Sequence, residues 1–106
     1  MVDYSNIELT VFDELESTNT YLLQKQEEEG LSSGVAVQAL RQSAGRGRYD
    51  RKWEDTGGNM ALSIYLEPDI AVQHLSQIAF VTAIAVVKTI LAQGVPPESI
   101  RLKWPN

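Results

Sequence analysis

The stretch Gln42-Ser43-Ala44-Gly45-Arg46-Gly47-Arg48-Tyr49-Asp50-Arg51-Lys52-Trp53 sets two glycines among three arginines and a lysine. Glycine lets a backbone come close to a ligand and present its N–H groups. A guanidinium grips a carboxylate or phosphate in a two-pronged geometry that lysine cannot match. The segment is therefore suited to an oxyanion. It lacks the Gly-Lys-Ser/Thr ending of a P-loop, and the Gly-x-Gly-x-x-Gly nucleotide fingerprint is missing too. The same composition also suits a solvated basic loop, or an arginine-glycine segment that contacts RNA without forming a pocket.

Shifting the window by one residue, to 41–52, gives five cations against the single acid Asp50. That is a net +4 in a chain whose total is -5, leaving -9 for everything else. Positive potential is concentrated on one segment of an acidic body, which marks it as the place for an anion and argues against nonspecific nucleic-acid binding by the whole surface. A chain of 106 residues with 43% apolar content fits one domain with a core of its own. Cysteine is absent, which excludes disulfides, thiolate metal sites and a cysteine nucleophile, and points to the cytoplasm. The N-terminus lacks the basic and apolar regions of a signal peptide. No apolar run reaches the roughly 20 residues that span a bilayer, so no membrane is expected.

Around the basic segment the hydrophobic pattern predicts an alternation of strands and helices. Ile7, Leu9 and Val11 alternate with Glu8 and Thr10, the period of a strand. Ser17-Thr18-Asn19 offers N-cap side chains to a helix over 18–29, and Gly30 stands where the helix must stop. Glu27-Glu28-Glu29 sit at the negative end of that helix's dipole, so its last turn is expected to fray. Residues 35–40 read as a buried second strand. The stretch 42–59 shows no apolar period and is expected to be a long loop, a length that compact domains reserve for binding or covering something. Met60, Leu62, Ile64 and Leu66 alternate in a third strand ended by Pro68. The longest periodic segment, 70–93, predicts a core helix buried over most of its circumference. Gly94 and Pro96-Pro97 stop it, and Ile100, Leu102 and Trp104 alternate in a fourth strand.

Two further features have ordinary structural readings on their own. Ser17-Thr18-Asn19 are residue types that cap helices with no ligand involved, and Trp53 can simply anchor its loop. His74 has no second histidine or acid at ligand spacing, so no metal site is expected.

Their order carries more than any one of them. Ser17-Thr18-Asn19, then Gln42-x-x-Gly45-Arg46-Gly47-Arg48-x-x-Arg51-x-Trp53, then Lys103-Trp104-Pro105-Asn106 resembles the biotin protein ligase family, the biotin-[acetyl-CoA carboxylase] ligases. The resemblance implies an α+β fold: a mixed β-sheet with flanking helices, shared with class II aminoacyl-tRNA synthetases. It implies an ATP-dependent enzyme that makes biotinyl-5'-AMP and transfers biotin to a lysine of a biotin carboxyl carrier protein, the carrier of acetyl-CoA carboxylase. By the same resemblance Ser17, Thr18, Asn19, Gln42, Gly45, Arg46, Gly47 and Arg48 would bind biotin. Arg48, Arg51, Trp53 and Asn106 would bind ATP and the adenylate, with Trp53 packing as the loop closes like a lid. Arg48 and Lys103 would take the catalytic parts, Lys103 and Asn106 near the ATP phosphates and Mg2+.

The sequence departs from the family at Asp50, where glycine is usual, and at Tyr49, where a basic residue is common. Family members continue past the position of Asn106 with an aspartate, a catalytic lysine and a small C-terminal barrel. Residues 1–106 therefore read as the N-terminal part of the catalytic domain, expected to lack transfer activity alone and to associate with itself or a partner. The first strand starts near residue 7, so no DNA-binding helix-turn-helix is expected ahead of it. A lipoate-protein ligase and a non-enzymatic polyanion or RNA binder are the alternatives.

Overall fold

The computed structural model of the chain describes residues 6–47, 49, 51–54 and 57–103. They fall into two compact units, 1–68 and 69–106.

The first unit is built on a three-stranded sheet. Strand β1 (Glu8–Leu15) runs parallel to the central strand β2 (Val35–Gln42), and β5 (Ala61–Ile64) pairs antiparallel with the other edge of β2. The sheet is thus mixed. Helix α1 (Thr18–Glu29) makes the crossover between the two parallel strands, the connection that parallel pairing requires. Gly34 makes the turn into β2 possible: its φ is 102°, and a Cβ there would collide with the carbonyl oxygen of Asn6.

Register assigns the faces of the sheet. Thr10, Val37 and Ser63 are cross-strand neighbours on one face, as are Phe12, Ala39 and Ala61. Helix α1 meets this face, with the Phe12 and Tyr21 rings 5.1 Å apart and Thr18 bonded to Ser63. Val37, Ala39 and Leu22 are buried here. On β5 the smaller set, Ala61 and Ser63, is half-buried, while Leu62 and Ile64 on the alternate positions are exposed.

Four expectations are corrected. The last turn of α1 does not fray: the helix runs through Glu29, Lys25 Nζ pairs with Glu29 at 3.1 Å, and Gly30 N–H donates to Gln26 O. An i,i+4 pair of this kind offsets the poor placement of acids at the negative end. Residues 42–59 are not structureless, because β3 (Gly45–Arg46) and β4 (Lys52–Trp53) form a two-stranded antiparallel ladder. The ladder brings the ends of the arginine segment together and leaves its middle as the bend.

The other two corrections concern the second unit. The helical run does not start at residue 70. Val72–His74 form a 3-10 turn, closed by His74 N–H to Ala71 O and Leu75 N–H to Val72 O, and α2 occupies Gln77–Ala92. None of its residues is buried; the partly covered positions are Ile78, Ala83, Val87 and Ile90. An all-round apolar helix predicts burial only if surface is supplied on all sides, and sequence period does not supply it. Beyond a second 3-10 turn at Pro97–Ser99, residues 100–103 form no strand. Alternation prepares a segment for pairing, but no described strand offers it a ladder. Trp104, the end of the expected fourth strand, lies outside the described residues.

Candidate functional site

The first turn of α1 is where the site begins. Ser17 is the N-cap: its extended backbone starts the helix, and its Oγ accepts from Thr20 N–H at 3.3 Å. Ser17 and Thr18 are both only 4% exposed, a degree of burial that polar side chains reach when they are hydrogen-bonded. Thr18 N–H, one of the donors that a helix start leaves without an intrahelical partner, donates to Gln42 Oε1 at 2.8 Å. Thr18 Oγ1 also lies 3.3 Å from Gln42 Oε1 and 2.7 Å from Ser63 Oγ. One threonine therefore ties α1 to β2 and β5.

The arginine segment is joined to the same place through its backbone. Ser43 N–H donates to Leu15 O and Ala44 N–H to Glu16 O, which carries the chain from the end of β2 alongside the end of β1. Gly45 is buried and pairs with Trp53 across the β3–β4 ladder. Gly47 N–H then donates to Arg51 O at 2.7 Å, and a Cβ at Gly47 would be in ordinary contact with Arg51. Inside that bend Tyr49 has a φ of 57°, a left-handed conformation uncommon for a residue with a Cβ, and its side chain is 82% exposed.

Ser17, Thr18, Asn19, Gln42, Gly47, Tyr49 and the run 60–63 line one cleft of about 550 Å3. That volume lies within the range of small-molecule sites. Its lining mixes hydroxyl- and amide-bearing residues with the apolar residues Met60, Ala61 and Leu62, which suits a ligand with a polar head and an apolar body. Five residues chosen from sequence, Ser17, Thr18, Asn19, Gln42 and Gly47, meet here. Arg51 is exposed beside the bend, and the backbone of Arg46 and Trp53 is in the ladder. Arg48 and Asn106 lie outside the described residues. Lys103 is exposed in the second unit. Sequence reading passed over Ser63, although the alternation of 60–66 already set Ala61 and Ser63 on one face of their strand.

Residues 11–106 match the biotin/lipoate A/B protein ligase family. The chain belongs to that family. It is 41% identical over 75 residues to the bifunctional ligase/repressor BirA of Bacillus subtilis, covering 69% of this chain and 22% of that protein. With the biotin--[acetyl-CoA-carboxylase] ligase of Paracoccus denitrificans it shares 40% identity over 78 residues, 73% of this chain and 32% of that one. The chain thus spans about a fifth to a third of the length of these two proteins. Among solved structures, the Aquifex aeolicus biotin protein ligase in complex with biotin and ATP is 32% identical with a TM-score of 0.73, covering 93% of this chain and 40% of that one. The Helicobacter pylori biotin acetyl coenzyme A carboxylase synthetase with bound biotinylated ATP is 31% identical with a TM-score of 0.71, covering 94% and 47%. The mixed sheet with helices expected from the resemblance is the fold of this family member. No helix among the described residues is long and apolar enough to cross a membrane.

Proposed function

We propose that the chain carries the biotin- and adenylate-binding part of a biotin protein ligase. The observation that carries this reading is the cleft in which the hydroxyls at the start of α1, the Gln42 amide, and Gly47 and Tyr49 of the bend meet. The family match and the two solved ligases with biotin and ATP or biotinylated ATP support it.

In this reading the hydroxyl and amide groups of Ser17, Thr18, Asn19 and Gln42 satisfy the polar head of biotin, which is costly to bury without partners. The apolar residues of the run 60–62 line the path of its ring and chain. The biotin carboxylate attacks the α-phosphate of ATP, a P–O bond breaks, and pyrophosphate leaves with its electron pair. Arg46, Arg48 and Arg51 gather the carboxylate and phosphate, two anions that repel each other in water, and hold them in reacting geometry. Gly45 and Gly47 let the backbone close on the acyl phosphate. Trp53 covers the adenylate, and Lys103 and Asn106 act on the phosphate side. In the second step the amine of a carrier lysine attacks the acyl carbon, AMP departs, and the amine loses a proton. That carrier is a biotin carboxyl carrier protein of acetyl-CoA carboxylase, and the reaction is cytoplasmic.

Mg2+ is the usual companion of ATP. No group of three or more histidine, cysteine, aspartate or glutamate residues is placed to hold a metal among the described residues, so Mg2+ would arrive with the nucleotide.

Titration of the full-length protein with biotin, lipoate and single-stranded RNA separates the readings. Biotin binding, with pyrophosphate released when ATP is added, is expected. Preferential binding of lipoate would move the protein to the other branch of its family, and RNA binding without biotin binding would overturn the ligase reading.

A further inference from the structure

Ser63 sits within β5, opposite Val37 in register, so its position is set by the sheet rather than by a loop. Its Oγ is 2.7 Å from Thr18 Oγ1, the ordinary length of a good O–H···O bond, while the alternative acceptor for Thr18, Gln42 Oε1, is 3.3 Å away. That amide oxygen only accepts, and the Thr18 N–H already donates to it at 2.8 Å. Two hydroxyls carry two protons, and the bond between them uses one. The second either reaches across the longer gap to Gln42 Oε1 or is presented to whatever occupies the cleft, which Thr18 and Ser63 both line.

We infer that Ser63 is a positioning residue for the cleft: it fixes the Thr18 hydroxyl so that the pair offers one O–H to an acceptor oxygen on the head of the ligand. Without Ser63, Thr18 keeps a single proton and a single long acceptor. Its hydroxyl then loses the 2.7 Å partner that holds its rotamer and is left to turn toward Gln42 Oε1, so its O–H is no longer fixed toward the ligand. Thr18 is the more buried of the two, and Ser63 is the partner that holds its rotamer from the strand side. A half-buried serine hydroxyl at this point is not needed for the sheet itself, because the ladder of β5 is made by the backbone.

This inference rests on the biotin reading above, and the test separates the two. Biotin binding to the full-length protein is measured by calorimetry for the wild type, Ser63→Ala, Ser63→Thr, Thr18→Val and the double variant Ser63→Ala/Thr18→Val. Ser63→Ala should weaken biotin about tenfold, the loss of one hydrogen-bonded contact. Ser63→Thr, which keeps the hydroxyl on a residue suited to a strand, should stay within about threefold of the wild type. The double variant should be no weaker than Thr18→Val alone, since the two hydroxyls act as a unit. If the wild type binds and Ser63→Ala binds equally well, the inference fails while the biotin reading stands. It fails equally if Ser63→Thr is as weak as Ser63→Ala, or if the two losses simply add. A wild type that does not bind biotin overturns the biotin reading and this inference with it.

Discussion

Thr18 and Gln42 are 24 residues apart in the chain, yet the Thr18 N–H donates to Gln42 Oε1 at 2.8 Å. A side chain at the last position of β2 thereby does for the start of α1 what a second cap would do, satisfying a donor the helix cannot satisfy for itself. The cleft is framed by the same bond, so the strength of the fold and the shape of the site are linked at one pair of residues.

Replacing Gln42 separates those two roles. Gln42→Leu leaves a nearly buried N–H without its acceptor, which should destabilise the protein by about 1 to 3 kcal/mol. Gln42→Glu keeps an acceptor oxygen and adds a negative charge at the positive end of α1, which a helix start favours. The urea midpoint should fall for Gln42→Leu and stay near the wild type for Gln42→Glu. Biotin affinity should fall in both, because both lose the amide NH2. Equal midpoints for the two variants would show that the Thr18 donor is satisfied in some other way.

Ser17 permits a similar separation. Ser17→Asp retains a good N-cap, so thermal stability should be kept within about 0.5 kcal/mol, whereas Ser17→Ala should lose about 1 kcal/mol. The aspartate also replaces a hydroxyl, which can donate, by a charged acceptor that must be desolvated against the polar head proposed to sit there. Calorimetry should therefore find biotin binding weaker in Ser17→Asp than in Ser17→Ala, the reverse of their order in stability.

How much could be read in advance follows from the range of each signal. Helix α1 was legible because Ser17 and Gly30 are local stops, and β1, β2 and β5 because period-2 alternation needs no knowledge of neighbours. The exposure of α2 and the lack of a strand at 100–103 were not legible, since burial and pairing depend on a partner surface that no local pattern describes. Residue type likewise pointed to Ser17, Thr18, Asn19, Gln42 and Gly47. Ser63 could not be found that way: a strand serine enters the cleft only through its register with Val37 and the approach of Thr18, 45 residues earlier in the chain.

Glycine conformation gives a prediction about folding alone. Gly30 and Gly34 both have positive φ, 74° and 102°, but a Cβ at Gly30 would meet nothing within 4 Å, whereas one at Gly34 would collide with the Asn6 carbonyl. Gly30→Ala should cost roughly 1 to 3 kcal/mol from backbone strain. Gly34→Ala adds a backbone clash that only a shift of β1 could relieve, and should cost more. Denaturant titration of both variants checks the order; Gly34→Ala as stable as Gly30→Ala would mean that the turn into β2 is looser than its geometry indicates.

Tyr65 supplies a pH signal. Its hydroxyl donates to Glu67 Oε1 at 2.8 Å, and that bond, reinforced by the carboxylate's charge, raises the phenol above its ordinary value. A raised folded value means the contact stabilises fully below the unfolded phenol pKa of about 10 and is lost as pH climbs through the folded one. Titration of the Tyr65 phenol, followed by the NMR signals of its ring, should show it ionising above the ordinary value, and Glu67→Gln should bring it back toward that value. Late ionisation that survives Glu67→Gln would assign the effect to some other neighbour.

Arg51 offers a test of the basic bend in which fold and charge come apart. The bond that closes the bend runs from Gly47 N–H to the Arg51 carbonyl oxygen, so it belongs to the backbone and survives truncation of the side chain. The side chain itself is exposed, and its Cβ, the atom that a Cβ at Gly47 would touch, is retained by alanine. Arg51→Ala should therefore change stability by no more than about 0.5 kcal/mol. A charge-assisted bond to a phosphate is worth about 1.5 to 3 kcal/mol, which sets the expected loss of biotinyl-5'-AMP affinity at roughly ten- to a hundredfold. Biotin alone lacks the phosphate, so its affinity should fall much less, and added salt should weaken adenylate binding in the wild type more than in the variant. Adenylate affinity unchanged in Arg51→Ala would take this arginine out of the phosphate contact and leave Arg46 and Arg48 to supply it.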